Sequence, residues 1–334
     1  MMRRFLVGVL CALLPVSLVL AAATGYHVLG EIMIGGDGGW DYLTADNAAR
    51  RLYVSHATHV AVVDLDSGKV VGDIPDTPGV HGIALAPQLN RGFVSNGRSN
   101  NVTIFDLKTL KMISQVATGM NPDSIRFEPV TSRVFAFNGR SNSSTVIDAK
   151  TGMVVATIAF PGNPEFSVAD GKGKVYANIE STSEIVEIDA AKAMVTKKYS
   201  LSPCMEPSGL AYDAKDRRLI SVCSNRVMAI SDPDAGKVVA TPAIGPGSDG
   251  AAFDPGTGYA FSSNGGDGTL TVVQQMGGTW QVVENIATER GARTIAVDEK
   301  THKVYLPTAS VAPTQTGGRA TFLPGTFKVV MVGK

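Results

Sequence analysis

Beyond the first two dozen residues, the chain alternates short apolar runs with turn residues, and no run carries the 3.6-residue period of an amphipathic helix. Several runs are apolar at consecutive positions, as in Val60-Ala61-Val62-Val63, the pattern of strands covered on both faces. Gly, Pro, Asp and Asn fill the gaps, as antiparallel hairpins require. The pattern also recurs. "VVDLDSGKVV" from Val62, "IFDLKTLKMI" from Ile104, "VIDAKTGMVV" from Val146, "EIDAAKAMVT" from Glu187 and "ISDPDAGKVV" from Ile230 are one template. In each, an apolar strand ends in Asp, a short turn follows and a second apolar strand opens. The aspartates Asp64, Asp106, Asp148, Asp189 and Asp232 are spaced by 42, 42, 41 and 43 residues, and Gln274 takes the next place. Asp at the head of a tight turn accepts hydrogen bonds from the backbone, so these carboxylates read as structural.

Two further strands precede each template, such as "HGIALAP" (81–87) with "RGFVSN" (91–96) and "DSIRFEP" (123–129) with "RVFAFN" (133–138). Seven such units run from Asp41 to the C-terminus. A four-stranded unit cannot bury both its faces alone, whereas seven stacked in a ring can, so the pattern predicts an all-β, seven-bladed β-propeller of four-stranded blades. The last unit lacks its fourth strand after "GTFKVVMVG" (325–333), and the orphan segment "HVLGEIMI" (27–34) is left to supply it. The last blade is therefore expected to close as three strands plus the N-terminal one, making 24–334 a single domain.

The first residues differ in kind. Met1-Met2-Arg3-Arg4 precedes an apolar run from Phe5 to Ala23 that ends in Ala21-Ala22-Ala23. This reads as a secretory signal peptide over 1–23, with an uncleaved membrane anchor as the alternative. The expectation is a periplasmic or secreted bacterial protein with no transmembrane segment after cleavage. Taking Arg3 and Arg4 from the 30 Lys+Arg leaves 28 against 30 Asp+Glu, so no whole-chain field attracts nucleic acid. The protein is expected to act as a monomer, with a small ligand or a protein as its partner.

The complete unit "TGMNPDSIRFEPVTSRVFAFNGRSNSSTVIDAKTGMVVATI" (118–158) resembles the YVTN-type repeat of YncE-like seven-bladed propellers. Its marks are a Gly-x-x-Pro entry, a second strand of the Val-Tyr-Val-Thr-Asn kind and an Ile-Asp-x-x-Thr-Gly exit. The second strand varies here ("LYVSH", "GFVSN", "VFAFN", "VYANI"), and the resemblance covers nearly all of the chain after 23. It implies the fold and export but no defined activity.

In such a blade the first strand lines the central channel. The loop entering strand one and the loop joining strands two and three share one face, called the top here. Aligning the units puts Asp41, His81, Asp123, Glu165, Ser208, Asp249 and Arg293 at the channel mouth, a polar set suited to a ligand. A divalent cation is the cofactor it suggests, with Asp123, Glu165 and His81 as possible ligands. Crowded carboxylates would also raise one another's pKa. Further out on the top lie His56, Asn96, Asn138 and Asn264, with Arg98 and Arg140 in a pentapeptide, Asn-Gly-Arg-Ser-Asn, that occurs at 96 and again at 138. Asn96-Gly97, Asn138-Gly139 and Asn264-Gly265 read as turn formers, and the two arginines as a basic arc. His56 and His59 would need His81 as a third ligand to hold a metal. Cys204, entering unit five, and Cys223, ending its second strand, fall on one face of one blade and are expected to form a disulfide. The loop from Ala309 to Pro324 is longer than its counterparts and is expected on the top.

No haem, phosphate-loop, His-Glu-x-x-His or Gly-x-Ser-x-Gly motif occurs, and no catalytic residue is assigned. The reading is an exported binding or interaction module. The alternatives are a metal-dependent lactonase- or hydrolase-like enzyme using the acidic ring, or a cell-envelope scaffold.

Overall fold

The computed structural model describes residues 24–312 and 321–334. Residues 1–23, expected to be a signal peptide, and the centre of the loop 309–324 lie outside the described residues. No helix among the described residues is long and apolar enough to cross a membrane.

Seven antiparallel sheets of four strands stand around a central channel, each ordered from inside to outside along the chain, except the last. That blade runs Ala296–Asp298, Lys303–Thr308, Lys328–Gly333 and then, from the other end of the chain, His27–Met33. The N-terminal strand pairs antiparallel with Lys328–Gly333, with Ile32 opposite Val329. The ring is closed by pairing the two ends, as the orphan strand predicts.

Strand two of each blade is buried on both faces after its first residue, because it has a sheet neighbour on each side and a blade above and below. Its third position carries the bulkiest packing, with Tyr53, Phe93, Phe135, Tyr176, Phe261 and Tyr305 fully buried. In blades one to three the strand opens on an arginine that joins blades. Arg51, Arg91 and Arg133 donate from Nη1 to the carbonyls of Leu107 (2.7 Å), Ala149 (2.9 Å) and Ala190 (2.6 Å) in the next blade. Outer strands alternate between exposed and covered positions, as in Val154–Ala159.

The repeating aspartates are turn residues, as expected. Asp106 Oδ1 accepts from the N–H groups of Lys108 and Thr109, and Asp148 does so from Lys150 and Thr151. Where Gln274 replaces Asp, that turn does not form. The hairpin runs on to pair Met276 with Thr279 across Gly277-Gly278, both at positive φ.

The Asn-Gly pairs behave otherwise than expected. Asn96 and Asn101 are a register pair, and the left-handed backbone falls on Asn100 (φ 53°) and Asn142 (φ 46°), not on Gly97 or Gly139. These are four-residue loops in which the fifth residue of the pentapeptide makes the turn.

Candidate functional site

The strand-one entries bring five of the seven expected mouth residues into one network. His81 Nδ1 lies 2.5 Å from Asp41 Oδ2 and 3.6 Å from Asp123 Oδ1. Arg293 donates from Nε to Asp249 Oδ2 at 2.8 Å, and from Nη2 to Asp41 Oδ1 at 3.3 Å and to the Trp40 carbonyl at 2.9 Å. Glu165 stands beside this network and is held by Tyr42, whose hydroxyl donates to Oε1 at 3.1 Å. Ser208 donates to the Ser248 carbonyl at 3.2 Å, and its hydroxyl also works against the rise of the Asp249 carboxyl.

Asp123, Glu165 and Asp249 hold protons more tightly than exposed acids do. Burial, then the charges of Asp41 and Asp249, push Asp123 well above the usual carboxylate range, with Arg293 opposing. Burial and then Asp123 do the same to Glu165. Asp249 is pushed up to about 6 by burial, with the Arg293 guanidinium working against the rise. Glu180 adds to the negative field at all three. Neither Tyr42 nor Glu180 is found by reading the ring positions alone. Glu180 has a signal in the repeat, since it stands where the equivalent loops have Gly97, Gly139 or Gly265.

The cation set is regrouped by the structure. One ligand atom each from Asp41, His81 and Asp123 lie within 4.8 Å of one another, whereas Glu165, expected in this set, is tied to Tyr42. Asp41 takes its place because blade one is the neighbour of His81, and blade four is two blades away. Asp123 Oδ1 is buried and has no hydrogen-bond partner among the described residues. An imidazole with two carboxylates suits a borderline or hard divalent cation.

Four of the outer top-face residues do not face a ligand. Asn96, Asn138 and Asn264 are fully buried, and each amide clamps its own hairpin. Asn96 Nδ2 donates to Asn101 Oδ1 (2.7 Å) and Thr103 Oγ1 (2.8 Å). Asn138 Nδ2 reaches Ser143 and Thr145, and Asn264 Nδ2 reaches Thr269 and Thr271. His56 is stacked on Phe327 with centroids 4.2 Å apart, and both ring nitrogens are buried without partners. His59 lies 3.7 Å from Asp73 and His81 binds Asp41, so the three histidines do not assemble. Trp40 is buried between blades one and seven, against Phe322 (4.7 Å) and Phe327 (5.4 Å). The near ends of the long loop fold onto that top face through the bridge between Val311 and Phe322.

Burial pushes the His56 imidazole down to about 4 from an ordinary 6.5, with His59 adding to the fall. The unfolded chain therefore takes up the proton first, and stability due to the neutral ring is lost as pH falls from 6.5 towards 4. Asp123, Glu165 and Asp249 act in the opposite sense, because groups with raised folded values gain protons first in the folded state. Comparison with His56→Phe isolates the histidine. The stability difference in favour of the variant is expected to grow by on the order of 3 kcal/mol across that window, as read from urea midpoints. A difference independent of pH would refute it.

Arg98 and Arg140 are the two outer residues that remain open. Both are exposed and line one cleft of about 480 Å³ together with His81, Asn100, Met120 and Asn121. Among the described residues, neither guanidinium has a carboxylate partner. Gly97 makes the cleft continuous with the mouth. A Cβ there would come within 2.5 Å of His81 Nε2 and 2.8 Å of Asn121 Oδ1. Cys204 and Cys223 are joined by a disulfide on the top of blade five, with Cα atoms 5.5 Å apart.

No protein-family model matches the chain, and no curated protein matches it. Among solved structures, it is similar to Kuenenia stuttgartiensis Hydrazine Synthase, with a TM-score of 0.70 and 16% identity, over 82% of this chain and 92% of that one. At that identity the likeness is one of fold. Seven four-stranded blades in a ring and this likeness together make the chain a seven-bladed β-propeller.

Proposed function

We propose that the protein is an exported, YncE-like binding propeller that takes a small ligand on its top face, with an anionic group of that ligand held in the cleft of Arg98 and Arg140. The observation that carries this reading is the cleft itself. Two guanidinium groups with no carboxylate partner among the described residues share it with His81, whose other ring nitrogen is tied to the acidic mouth. Arginine forks match carboxylate and phosphate oxygens, and a cation or hydrogen-bond donor on the same ligand would meet the acidic ring. The disulfide supports export, since such bonds persist in oxidising compartments. The apolar segment 1–23 supports it independently.

Inorganic phosphate is the probe for the cleft. It is expected to raise the melting temperature of the native chain, by the equivalent of about 2.7 kcal/mol at a hundred times its Kd. The double variant Arg98→Ala/Arg140→Ala is expected to lose that rise. No shift in the native chain, or an equal shift in the variant, would sink the reading.

A second reading, metal-dependent chemistry at the mouth, rests on Asp41, His81 and Asp123 and on the unpartnered oxygen of Asp123. Stripped protein dialysed against Zn²⁺ or Mn²⁺ is expected to take up one ion per chain, and Asp123→Asn to take up none, by elemental analysis. Equal uptake by both proteins would remove this site from consideration.

A further inference from the structure

Three residues below each mouth position, about 10 Å along the strand, the first strands form a second tier. Register defines it, because its members lie opposite the third residue of strand two in their blades. In blade three this is Arg126, opposite Phe135. Its equivalents are Thr44, Ala84, Val168, Ala211, Ala252 and Ala296. Arg126 is thus the one charged residue in a tier otherwise made of Ala, Val and Thr.

These small side chains leave the channel wide. It encloses about 500 Å³, is lined by the half-buried Phe166, Phe253 and Ile295 together with polar groups such as Tyr42 and Asn47, and opens past the exposed Pro129 and Gly171 on the bottom face. Arg126 lines this space. Its Nε and Nη2 donate to the Ser167 carbonyl at 3.1 and 2.8 Å, and its Cζ lies 5.5 Å from the centre of the Phe166 ring. That uses two of the five guanidinium N–H groups. Among the described residues no carboxylate pairs with it, and burial pulls its pKa down to about 10 with no opposing charge. Glu299 is the one carboxyl group lining the channel among the described residues, and it forms no ion pair with Arg126. Burial, followed by the charges of Asp254 and Asp298, pushes its pKa up.

A half-buried cation with three N–H groups uncommitted and no counter-charge invites an anion. We propose that the central channel is a second binding site, in which Arg126 holds the carboxylate of a small organic acid while its apolar body lies against Phe166, Phe253 and Ile295. The site is separate from the cleft of Arg98 and Arg140 and does not depend on it.

Benzoate is the probe, titrated into the full chain by calorimetry, with benzyl alcohol as its uncharged analogue. Benzoate is expected to bind saturably, at least about tenfold more tightly than benzyl alcohol, and to lose about tenfold or more in Arg126→Gln. Arg98→Ala/Arg140→Ala, which removes the top-face cleft, is expected to keep a saturable benzoate site that Arg126→Gln added to it abolishes, which separates this proposal from the top-face reading. Equal binding of the two probes by the native chain, unchanged binding by Arg126→Gln, or no saturable binding up to about 10 mM would each overturn it. The probe comparison repeated in Arg98→Ala/Arg140→Ala keeps Arg126 and removes the other anion site, so equal binding of the two probes there overturns the proposal even where Arg126→Gln fails to fold.

Discussion

Removal of residues 24–34 is expected to leave a chain that no longer unfolds in one cooperative step, and Ile32→Ala alone to cost about 2–5 kcal/mol of stability. The reason is position. Ile32 sits on the N-terminal strand, is 4% exposed, and packs with Leu43, Leu52 and Val54 of blade one and Phe327 and Val329 of blade seven. It therefore lies in the seam where the ring closes. Elsewhere the chain joins each strand of a blade to the next, but here only pairing and packing hold the N-terminal strand to Lys328–Gly333. Without the strand, the backbone edge of Lys328–Gly333 is also left unpaired, which invites association between chains. Denaturant midpoints and slopes check both variants. An Ile32→Ala midpoint equal to that of the native chain would show that the seam holds by other means.

The other large effect is expected from Asp298→Ala, at about 3–5 kcal/mol. Asp298 ends strand one of blade seven and is fully buried. Its two oxygens accept from Arg50 Nη1 and Nη2 of blade one, both at 2.7 Å, a bidentate clasp across the same seam on the bottom face. Its oxygens also accept from the Lys300 N–H and the Thr301 hydroxyl. Removing the carboxylate leaves the largely buried guanidinium without that partner. Burial alone would push the carboxyl upward, but Arg50 and Thr301 hold it below the usual range. Its contribution is accordingly present above the ordinary carboxylate pKa and is lost as pH falls through the lowered folded value. Thermal unfolding of Asp298→Ala and Asp298→Asn at neutral pH tests the clasp. Losses under about 1 kcal/mol would place the pair among weak surface bridges.

The fold was legible because its information is periodic. Each strand is too short to be assigned securely by itself, but seven copies at a step of about 42 residues reinforce one another. Even the closing strand showed itself as the unit's missing piece. The mouth was legible for the same reason, since a repeat that fixes blade geometry also fixes which residue enters each first strand. What failed was the orientation of side chains within that frame. Asn96, Asn138 and Asn264 stand on the top face by position, yet each turns inward to hydroxyl or amide groups five and seven residues on. That spacing was visible in the chain as Asn101 and Thr103, Ser143 and Thr145, Thr269 and Thr271. His56 was misread similarly, because nothing near it in sequence announces Phe327 from the far end of the chain.

Sequence by itself therefore determined the blade count, the closure, the disulfide partners and the identity of the mouth residues, because these follow from repeat spacing and strand order. Tertiary structure alone decided which of those residues meet. It set Asp41 rather than Glu165 beside His81 and Asp123, joined the cleft of Arg98 and Arg140 to the mouth, and left Arg126 the one charge in its tier of the channel. Those outcomes depend on distances between blades and on burial, and a linear repeat carries neither.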